Sequence, residues 1–150
     1  MIQQWQTDLI EEAESWIGTP FNYGCAEKGK GIDCARFLVM TFKAFGYIRP
    51  GHQIKHLPPD WFMATEKEAR EYEKIFVGEL YNLADEVPNK ERRITDILLM
   101  EYYGFKSHVG MLMPETRMIH ARNQRKVQVQ NIGNFESRIC SVWRFKGLPE

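Results

Sequence analysis

Apolar residues recur at every fourth position near the start of the chain, and the positions between them are mostly charged or polar. Residues four apart lie on one face of an α-helix, so this spacing predicts an amphipathic helix over residues 4–17. Pro20 disfavours helical backbone angles at the residue before it, and the helix should therefore stop at Gly18. The residues on the predicted apolar face are Trp5, Leu9, Ala13 and Ile17.

A second helix is predicted after a glycine-rich loop. Residues 21–32 contain three glycines and show no apolar periodicity, which is typical of a loop. Apolar residues with helical spacing then run from Asp33 or Cys34 to about Phe45, and Gly46 is a natural C-terminal stop. The apolar face of this helix is expected to consist of Phe37, Leu38, Phe42 and Phe45.

A third helix is predicted after the proline-containing segment 48–64, which is expected to be a loop. Thr65 and Glu68 have the spacing of a capping box, in which each side chain bonds to the backbone of the other residue. The helix should run from Thr65 to about Leu80. The polar residues 88–93 are expected to form the next loop.

The pattern changes from helical spacing to short alternating segments after residue 94, which predicts five β-strands. A tight turn is predicted at Pro114-Glu115-Thr116. Because the helices come first and the strands follow, we expect an α+β fold with an antiparallel sheet rather than alternating β and α units. The predicted strands are Ile94–Glu101, His108–Met113, Arg117–Ala121, Lys126–Asn131 and Arg138–Phe145.

Length and composition indicate one globular domain over residues 1–150. Apolar residues make up 43% of the chain and charged residues 27%, with no internal repeat. The formal net charge of zero offers no electrostatic reason to expect nucleic acid or an anionic membrane as a partner. No apolar run approaches the roughly 18–20 residues of a membrane span. The N-terminus lacks a signal-peptide pattern, so we expect synthesis in the cytoplasm without an export signal.

Cys34 is the best candidate for a reactive residue. The chain has three cysteines, an odd number that argues against a disulfide framework. Cys34 lies where the glycine-rich loop meets the second predicted helix. Backbone N–H groups and the helix dipole at such a position favour a thiolate and can hold a developing oxyanion. The alternative is that Cys34 is a small buried residue of the core.

Four histidines are candidates for the base that a catalytic thiol needs. His52 and His56 lie in the predicted proline-containing loop and are expected at the surface. His108 begins a predicted strand, and His120 lies on the strand across the predicted turn. Two strands joined in this way can place both residues on one face, where His120 would orient His108. The other interpretation is that both are structural, half-buried histidines.

Two other kinds of site fit the spacing poorly. Zinc binds cysteine and histidine, but Cys25 and Cys34 are too far apart for the close ligand pair of common zinc sites. The segment Gly29-Lys30-Gly31 lacks the Lys-Ser/Thr of a phosphate-binding loop, and no predicted strand precedes it. Neither a metal site nor a nucleotide site is favoured.

Four short motifs, in this order along the chain, resemble the NlpC-type cell-wall cysteine peptidases. They are a Gly-Thr-Pro-aromatic loop with a tyrosine, Asp-Cys at a helix start, a His-Val-Gly strand and a His-Ala strand. The likeness runs from Trp5 to Phe145. The missing export signal and the insertion around Pro58-Pro59 are more similar to the branch found in phage tails and phage-like gene-transfer particles. The motifs occupy residues 16–24, 31–34, 107–110 and 119–121.

The resemblance implies a papain-like fold in which the catalytic cysteine begins a helix packed on an antiparallel sheet. It implies that Cys34 is the nucleophile, His108 the base and His120 the residue that orients the base. The family reaction is hydrolysis of peptidoglycan stem peptides, usually at D-γ-glutamyl–diamino-acid bonds, and it needs no metal or organic cofactor. By the same resemblance, Tyr23 matches the family tyrosine that lies beside the catalytic cysteine. The residues expected to bind the substrate are Tyr23, Asp33 and Arg36.

The chain departs from the family pattern at two places. Ala35-Arg36 follows the cysteine where Ser-Gly is common, so the serine hydroxyl that helps to hold substrate is missing. Thr95-Asp96 replaces the usual Gly-Asp before the second strand. Asp33 is expected to cap the helix with its charge directed away from the sulfur, because a carboxylate beside a thiol raises the thiol pKa.

Three functions remain open at this point. The first is a peptidoglycan cysteine endopeptidase with a Cys-His-His triad. The second is a non-catalytic phage tail-assembly or adaptor protein that keeps the fold, and the third is a papain-like amidase or acyltransferase on another substrate. The expected partners are a peptidoglycan peptide and phage tail proteins, with no nucleic acid. A phage-derived chain would act from the virion tail at the host cell wall.

Overall fold

The computed structural model describes residues 1–149, which form three α-helices, a small hairpin and a six-stranded antiparallel sheet. This architecture confirms the predicted α+β class. No helix of the described residues is long and apolar enough to cross a membrane. The helices are α1 (Gln4–Glu14), α2 (Cys34–Lys43) and α3 (Glu66–Leu83). The strands are β1 (Ala26–Glu27), β2 (Gly31–Ile32), β3 (Ala84–Val87), β4 (Ile97–Tyr102), β5 (Phe105–Met113), β6 (Arg117–Ala121), β7 (Val127–Asn131) and β8 (Ile139–Phe145).

The main sheet has the strand order β3-β8-β4-β5-β6-β7, with every neighbouring pair antiparallel. Helix α2 packs on β5 and β6, and α1 packs on α2. The apolar face of α2 and the helix-facing side of the sheet form the main core, in which Phe37, Phe42 and Ile119 are fully buried. A second apolar cluster covers the opposite sheet face beneath residues 132–138. The sheet is therefore covered on both sides.

The first two helices are shorter than the sequence predicts. Helix α1 ends at Glu14, where the backbone tightens into a turn, and Trp16 rather than Ile17 enters the core. Ile17 is 50% exposed, so its placement on the apolar face was wrong. Helix α2 ends at Lys43, and Phe45 is likewise exposed because the chain turns outward before Gly46, which has a φ of +75°.

The third helix begins as predicted and ends later. The Thr65 hydroxyl accepts a hydrogen bond from the backbone N–H of Glu68 at 3.3 Å, so the predicted cap is confirmed. The helix continues to Leu83 and leads directly into β3, a strand that the sequence pattern does not predict. Strand β3 is an edge strand with two exposed acidic residues and a single neighbour, β8, so it lacks a clear apolar alternation.

The predicted loops contain short ordered elements. Residues 21–32 include the β1–β2 hairpin, and residues 88–93 include a 3₁₀ turn over Asn89–Glu91. Residues 48–64 end in a 3₁₀ turn over Trp61–Met63, in which Trp61 is buried among aromatic rings of α3 and β5. This packing draws the loop over the amino end of α2, where Cys34 lies.

Strand β4 begins at Ile97, three residues later than predicted, because Ile94 and Thr95 form a turn. Thr95 is fully buried, has a φ of +78°, and its hydroxyl has no hydrogen-bond partner among the described residues. Positive φ is unusual for a β-branched residue. Asp96 is also fully buried, and Arg144 donates two hydrogen bonds to its carboxylate, both at 2.8 Å. Thr95, which lies where the family pattern has glycine, is therefore strained. It lies next to the ion pair of Asp96 with Arg144, in which the carboxylate is fully hydrogen-bonded.

Candidate active site

Cys34 is the first residue of α2, and Asp33 is the N-cap. The Asp33 carboxylate accepts hydrogen bonds from the backbone N–H of Gly24 at 2.9 Å and of Arg36 at 2.8 Å. The Arg36 guanidinium donates a third bond at 2.6 Å. The predicted cap is therefore confirmed, and the same side chain fastens the preceding loop to the helix.

The thiol of Cys34 is held in its protonated form. Its side chain is buried, and burial raises its pKa to about 12, with the negative charge of Asp33 as the second cause. The backbone N–H groups of Val109, Ala35 and Cys34 act in the opposite direction but are weaker. The helix N-terminus therefore favours the thiolate as predicted, but desolvation outweighs it and the pKa of the thiol stays raised.

His108 and His120 form the centre of a hydrogen-bonded relay. His108 Nε2 lies 2.7 Å from His120 Nδ1, and His120 Nε2 lies 2.7 Å from Gln130 Oε1. Gln128 Nε2 donates to the same amide oxygen at 3.2 Å. Because Gln130 Oε1 only accepts, His120 must carry its proton on Nε2 and accept at Nδ1. His108 then donates from Nε2, which leaves its Nδ1 free to accept a proton.

The register of β5 and β6 explains why the two histidines meet. Met111 pairs with Ile119 and Leu112 with Met118, so His120 lies beside Gly110, two residues from His108 along the same face of β5. A Cβ atom on Gly110 would lie 2.6 Å from the sulfur of Met118 and 3.2 Å from the Cβ of His120. The glycine therefore makes room for the approach of the two imidazoles.

Both imidazoles are neutral in this environment. Burial lowers the pKa of His108 well below its usual value, and the charges of His120 and Arg122 lower it further. Burial also lowers the pKa of His120 to about 4, although the hydrogen bond to Gln130 opposes this shift. No hydrogen bond joins the Cys34 thiol to either histidine within residues 1–149. The resting site therefore holds a neutral thiol and a neutral imidazole in one cavity.

A cavity of about 390 Å³ brings together the predicted site residues except His120. His120 is fully buried and lies behind His108. The Tyr23 hydroxyl donates to Asp60 at 3.4 Å and accepts from Asn123 at 3.5 Å, and burial raises its pKa. The predicted site residues that line the cavity are Tyr23, Asp33, Cys34, Arg36 and His108.

Two polar residues of the relay, Gln128 and Gln130, were missed by the sequence analysis. Their signal is the alternation in β7, where Val127 is buried in the main core and the glutamines point to the other face. The prediction that His52 is a surface residue was wrong. Its ring is half-buried and lies 3.1 Å from the carboxylate of Glu79, because α3 passes beside the loop.

The described part of the chain contains no group of three or more His, Cys, Asp and Glu side chains placed to hold a metal ion. Cys25 is partly exposed and Cys140 is exposed, and both are free thiols. Neither lines the cavity. Cys34 is therefore the one thiol among residues 1–149 that lies in the cavity with His108.

The chain is similar to several characterised proteins. It is 24% identical over 143 residues to the gamma-D-glutamyl-L-lysine dipeptidyl-peptidase of Bacillus subtilis and spans 40% of the length of that curated relative. The NlpC/p60 domain of the peptidoglycan hydrolase SagA superposes with a TM-score of 0.62 at 18% identity, over 93% of this chain and 98% of that one. RipD from Mycobacterium tuberculosis, a non-catalytic NlpC/p60 domain protein, superposes with a TM-score of 0.58 at 16% identity, over 98% and 100% of the two chains.

These likenesses cover the same part of the molecule as the cavity and the relay. The NlpC/P60 family matches residues 18–144, a range that begins at the loop before α2 and ends within β8. It therefore contains Cys34, both histidines and Gln130. The likeness to the NlpC-type family inferred from the four motifs is confirmed, and this chain belongs to the NlpC/P60 family.

Proposed function

We propose that the chain is a cysteine endopeptidase that hydrolyses amide bonds in peptidoglycan stem peptides. The observation that carries this proposal is the relay from Gln130 through His120 to His108, which leaves one imidazole nitrogen available in the cavity that contains the Cys34 thiol. A nucleophile, a base and a group that orients the base are the three parts that acyl transfer to a thiol needs.

In the proposed mechanism, proton transfer and attack occur together. The pKa of the thiol is raised and that of His108 is lowered, so the proton stays on sulfur until a substrate carbonyl is in place. The proton then moves to His108 Nδ1 as sulfur bonds to the carbonyl carbon. In this proposal the backbone N–H groups of Cys34 and Ala35, at the N-terminus of α2, stabilise the negative oxygen.

The second half of the reaction restores the enzyme. His108 gives its proton to the leaving amine as the C–N bond breaks, which leaves an acyl group on Cys34. Water then gives a proton to His108 and attacks the thioester carbon. The C–S bond breaks and the sulfur takes the proton back from His108. Each step uses only Nδ1 of His108, because Nε2 stays bonded to His120.

We propose the D-γ-glutamyl–diamino-acid bond as the bond that is cleaved. The motif resemblance implies it, and the name of the Bacillus subtilis relative, a gamma-D-glutamyl-L-lysine dipeptidyl-peptidase, supports it. In this proposal Tyr23 and Arg36 contact the peptide in the cavity. Asp33 acts indirectly, since its carboxylate already accepts three hydrogen bonds and holds Arg36 in place. Delivery by a phage tail, with tail proteins as partners, is part of the proposal and rests on the resemblance alone.

A second candidate is a non-catalytic peptidoglycan-binding or tail-adaptor protein. The observations that favour it are Ala35-Arg36 in place of Ser-Gly and the protonated thiol without a hydrogen bond to His108. A protein of this kind would bind the same peptides in the same cavity without cleaving them. Both candidates therefore bind the same peptides, but only the first one cleaves them.

Digestion of defined muropeptides, followed by mass spectrometry, tests the proposal. We expect Cys34→Ala to abolish cleavage with an unchanged circular dichroism spectrum, and His108→Ala to lose a similar amount of rate. The matched control is Cys140→Ala, which removes an exposed thiol outside the cavity and should stay fully active. Binding of muropeptides by the wild-type protein without cleavage would establish the second candidate. Activity of Cys34→Ala within tenfold of wild type would refute the assignment of the nucleophile.

A further inference from the structure

The charged side chains that line the cavity are not all paired with one another. Three cationic and three acidic side chains face it, and most of them are already paired inside the protein. Asp33 is bonded to Arg36, and Glu79 to His52. Asp60, the third acidic residue, accepts a hydrogen bond from Tyr23. The two cations that have no acidic partner among the described residues are Lys55 and Arg122.

Arg122 differs from Lys55 in its burial and position. Lys55 is exposed, whereas Arg122 is half-buried and lies two residues after His120. The guanidinium makes no side-chain hydrogen bond within residues 1–149. Arg122 lines the cavity together with His108 and Tyr102, and its charge lowers the pKa of both site histidines. A guanidinium that lines a cavity without an acidic partner is free to bind an anion through charge-assisted hydrogen bonds.

The backbone around Arg122 is held firmly. Its N–H donates to the carbonyl of Lys126 at 3.2 Å, and its carbonyl accepts from the N–H of Arg125 at 2.9 Å. Gln124, in the same turn, has a φ of +61°. The neighbouring side chain, Asn123, bonds to the Tyr23 hydroxyl across the cavity. The turn therefore presents Arg122 from a fixed scaffold rather than from a free loop.

We infer that Arg122 forms a carboxylate-binding subsite, which selects substrates that carry a free carboxylate next to the scissile amide. A guanidinium binds a carboxylate through two parallel N–H···O bonds, whereas a neutral carboxamide offers only one acceptor oxygen and no charge. The bound carboxylate would also offset the positive charge beside His108 and so assist formation of the imidazolium. This inference rests on the proposed function, since it concerns the substrate of the same cavity.

The test uses two stem peptides that differ at one group. One carries a free α-carboxylate on the D-glutamyl residue whose γ-amide is cleaved, and the other carries the carboxamide at that position. Binding is measured by calorimetry with the Cys34→Ala protein, and hydrolysis is measured with proteins that keep the thiol. Charge-assisted hydrogen bonds contribute about 1.5–3 kcal/mol, so we expect about a 10- to 100-fold preference for the carboxylate peptide.

Two variants locate the preference. Arg122→Gln should bind both peptides with equal affinity, losing about 10- to 100-fold for the carboxylate peptide and less than threefold for the carboxamide peptide. The matched control is Arg125→Gln, an exposed residue of the same turn outside the cavity, which should keep the full preference. Three results would overturn the inference. The protein with Arg122 could bind both peptides equally, it could bind neither peptide, or the Arg122→Gln protein could keep the preference for the carboxylate peptide.

The binding measurement separates this inference from the proposed function. A carboxylate preference that depends on Arg122, in a protein that cleaves neither peptide, would support the subsite and reject the endopeptidase. Cleavage of both peptides at equal rates would support the endopeptidase and reject the subsite.

Discussion

Replacing Gln130 by leucine removes the one acceptor that sets the protonation of the relay. His120 is fully buried, and its Nε2 lies 2.7 Å from the Gln130 amide oxygen. Without that oxygen, His120 either keeps an unpaired buried N–H or moves its proton to Nδ1. In the second case His108 must also change its tautomer, and its Nδ1 can then no longer accept the thiol proton. Gln130→Leu should therefore lower the rate while leaving the cavity intact.

The size of the effect follows from the burial of His120. Leaving a buried N–H group without an acceptor costs about 1–3 kcal/mol. Each 1.36 kcal/mol in the transition state is a factor of ten, so the rate should fall about 5- to 150-fold if the whole cost enters the chemical step. Because Gln130 does not line the cavity, KM should change little and the loss should appear in kcat.

Two further variants at β7 separate positioning from packing. Gln130→Glu keeps an acceptor at the same place and should retain most of the wild-type activity. The acid limb of its pH–rate profile should move to higher pH, because the carboxylate raises the pKa of His120. Gln128→Leu removes only a donor to the Gln130 oxygen and should cost less than threefold. The assay is steady-state hydrolysis of one defined muropeptide, with circular dichroism as the folding control. Wild-type kcat in a folded Gln130→Leu protein, or equal losses in the leucine and glutamate variants, would refute the proposed proton arrangement.

Three other expectations follow from the strained turn and the buried titrating groups. Thr95→Gly should raise the unfolding free energy by about 1–3 kcal/mol, measured as a higher Tm. The variant removes the positive φ of a β-branched residue and the unpaired hydroxyl, and this gain outweighs the greater freedom of glycine in the unfolded chain. A lower Tm would contradict this. Alkylation of Cys34 by iodoacetamide should keep accelerating above pH 9, because its pKa is raised to about 12; a plateau below pH 8 would show a preformed thiolate. The pKa of His120 falls from about 6.5 unfolded to about 4 folded, so its contribution to stability is complete above pH 6.5 and is lost as the pH falls toward 4. His120→Asn should flatten the dependence of Tm on pH in that window, and an unchanged slope would argue against a buried neutral imidazole.

Much of the fold and part of the site could be predicted from short stretches of sequence. The Thr65 cap, the Asp33 cap and the turn after β5 depend on the backbone within a few residues, so local side chains specify them. The contact between His108 and His120 could also be predicted from the local sequence. Once two strands are joined by a tight turn, their register follows from the turn length, and alternation decides which residues share a face.

Other features depend on residues that are far apart in the chain. The protonated state of Cys34 comes from its burial between α2 and the sheet, and no local pattern near a helix start reports that desolvation. Strand β3 exists because β8 returns beside it, and Gln130 bonds to His120 because β7 pairs with β6. Arg122 forms no ion pair within residues 1–149, while Asp33 pairs with Arg36 and Glu79 pairs with His52. Burial and pairing between distant residues set the energies of charged and polar groups, and neither can be predicted from the local sequence pattern.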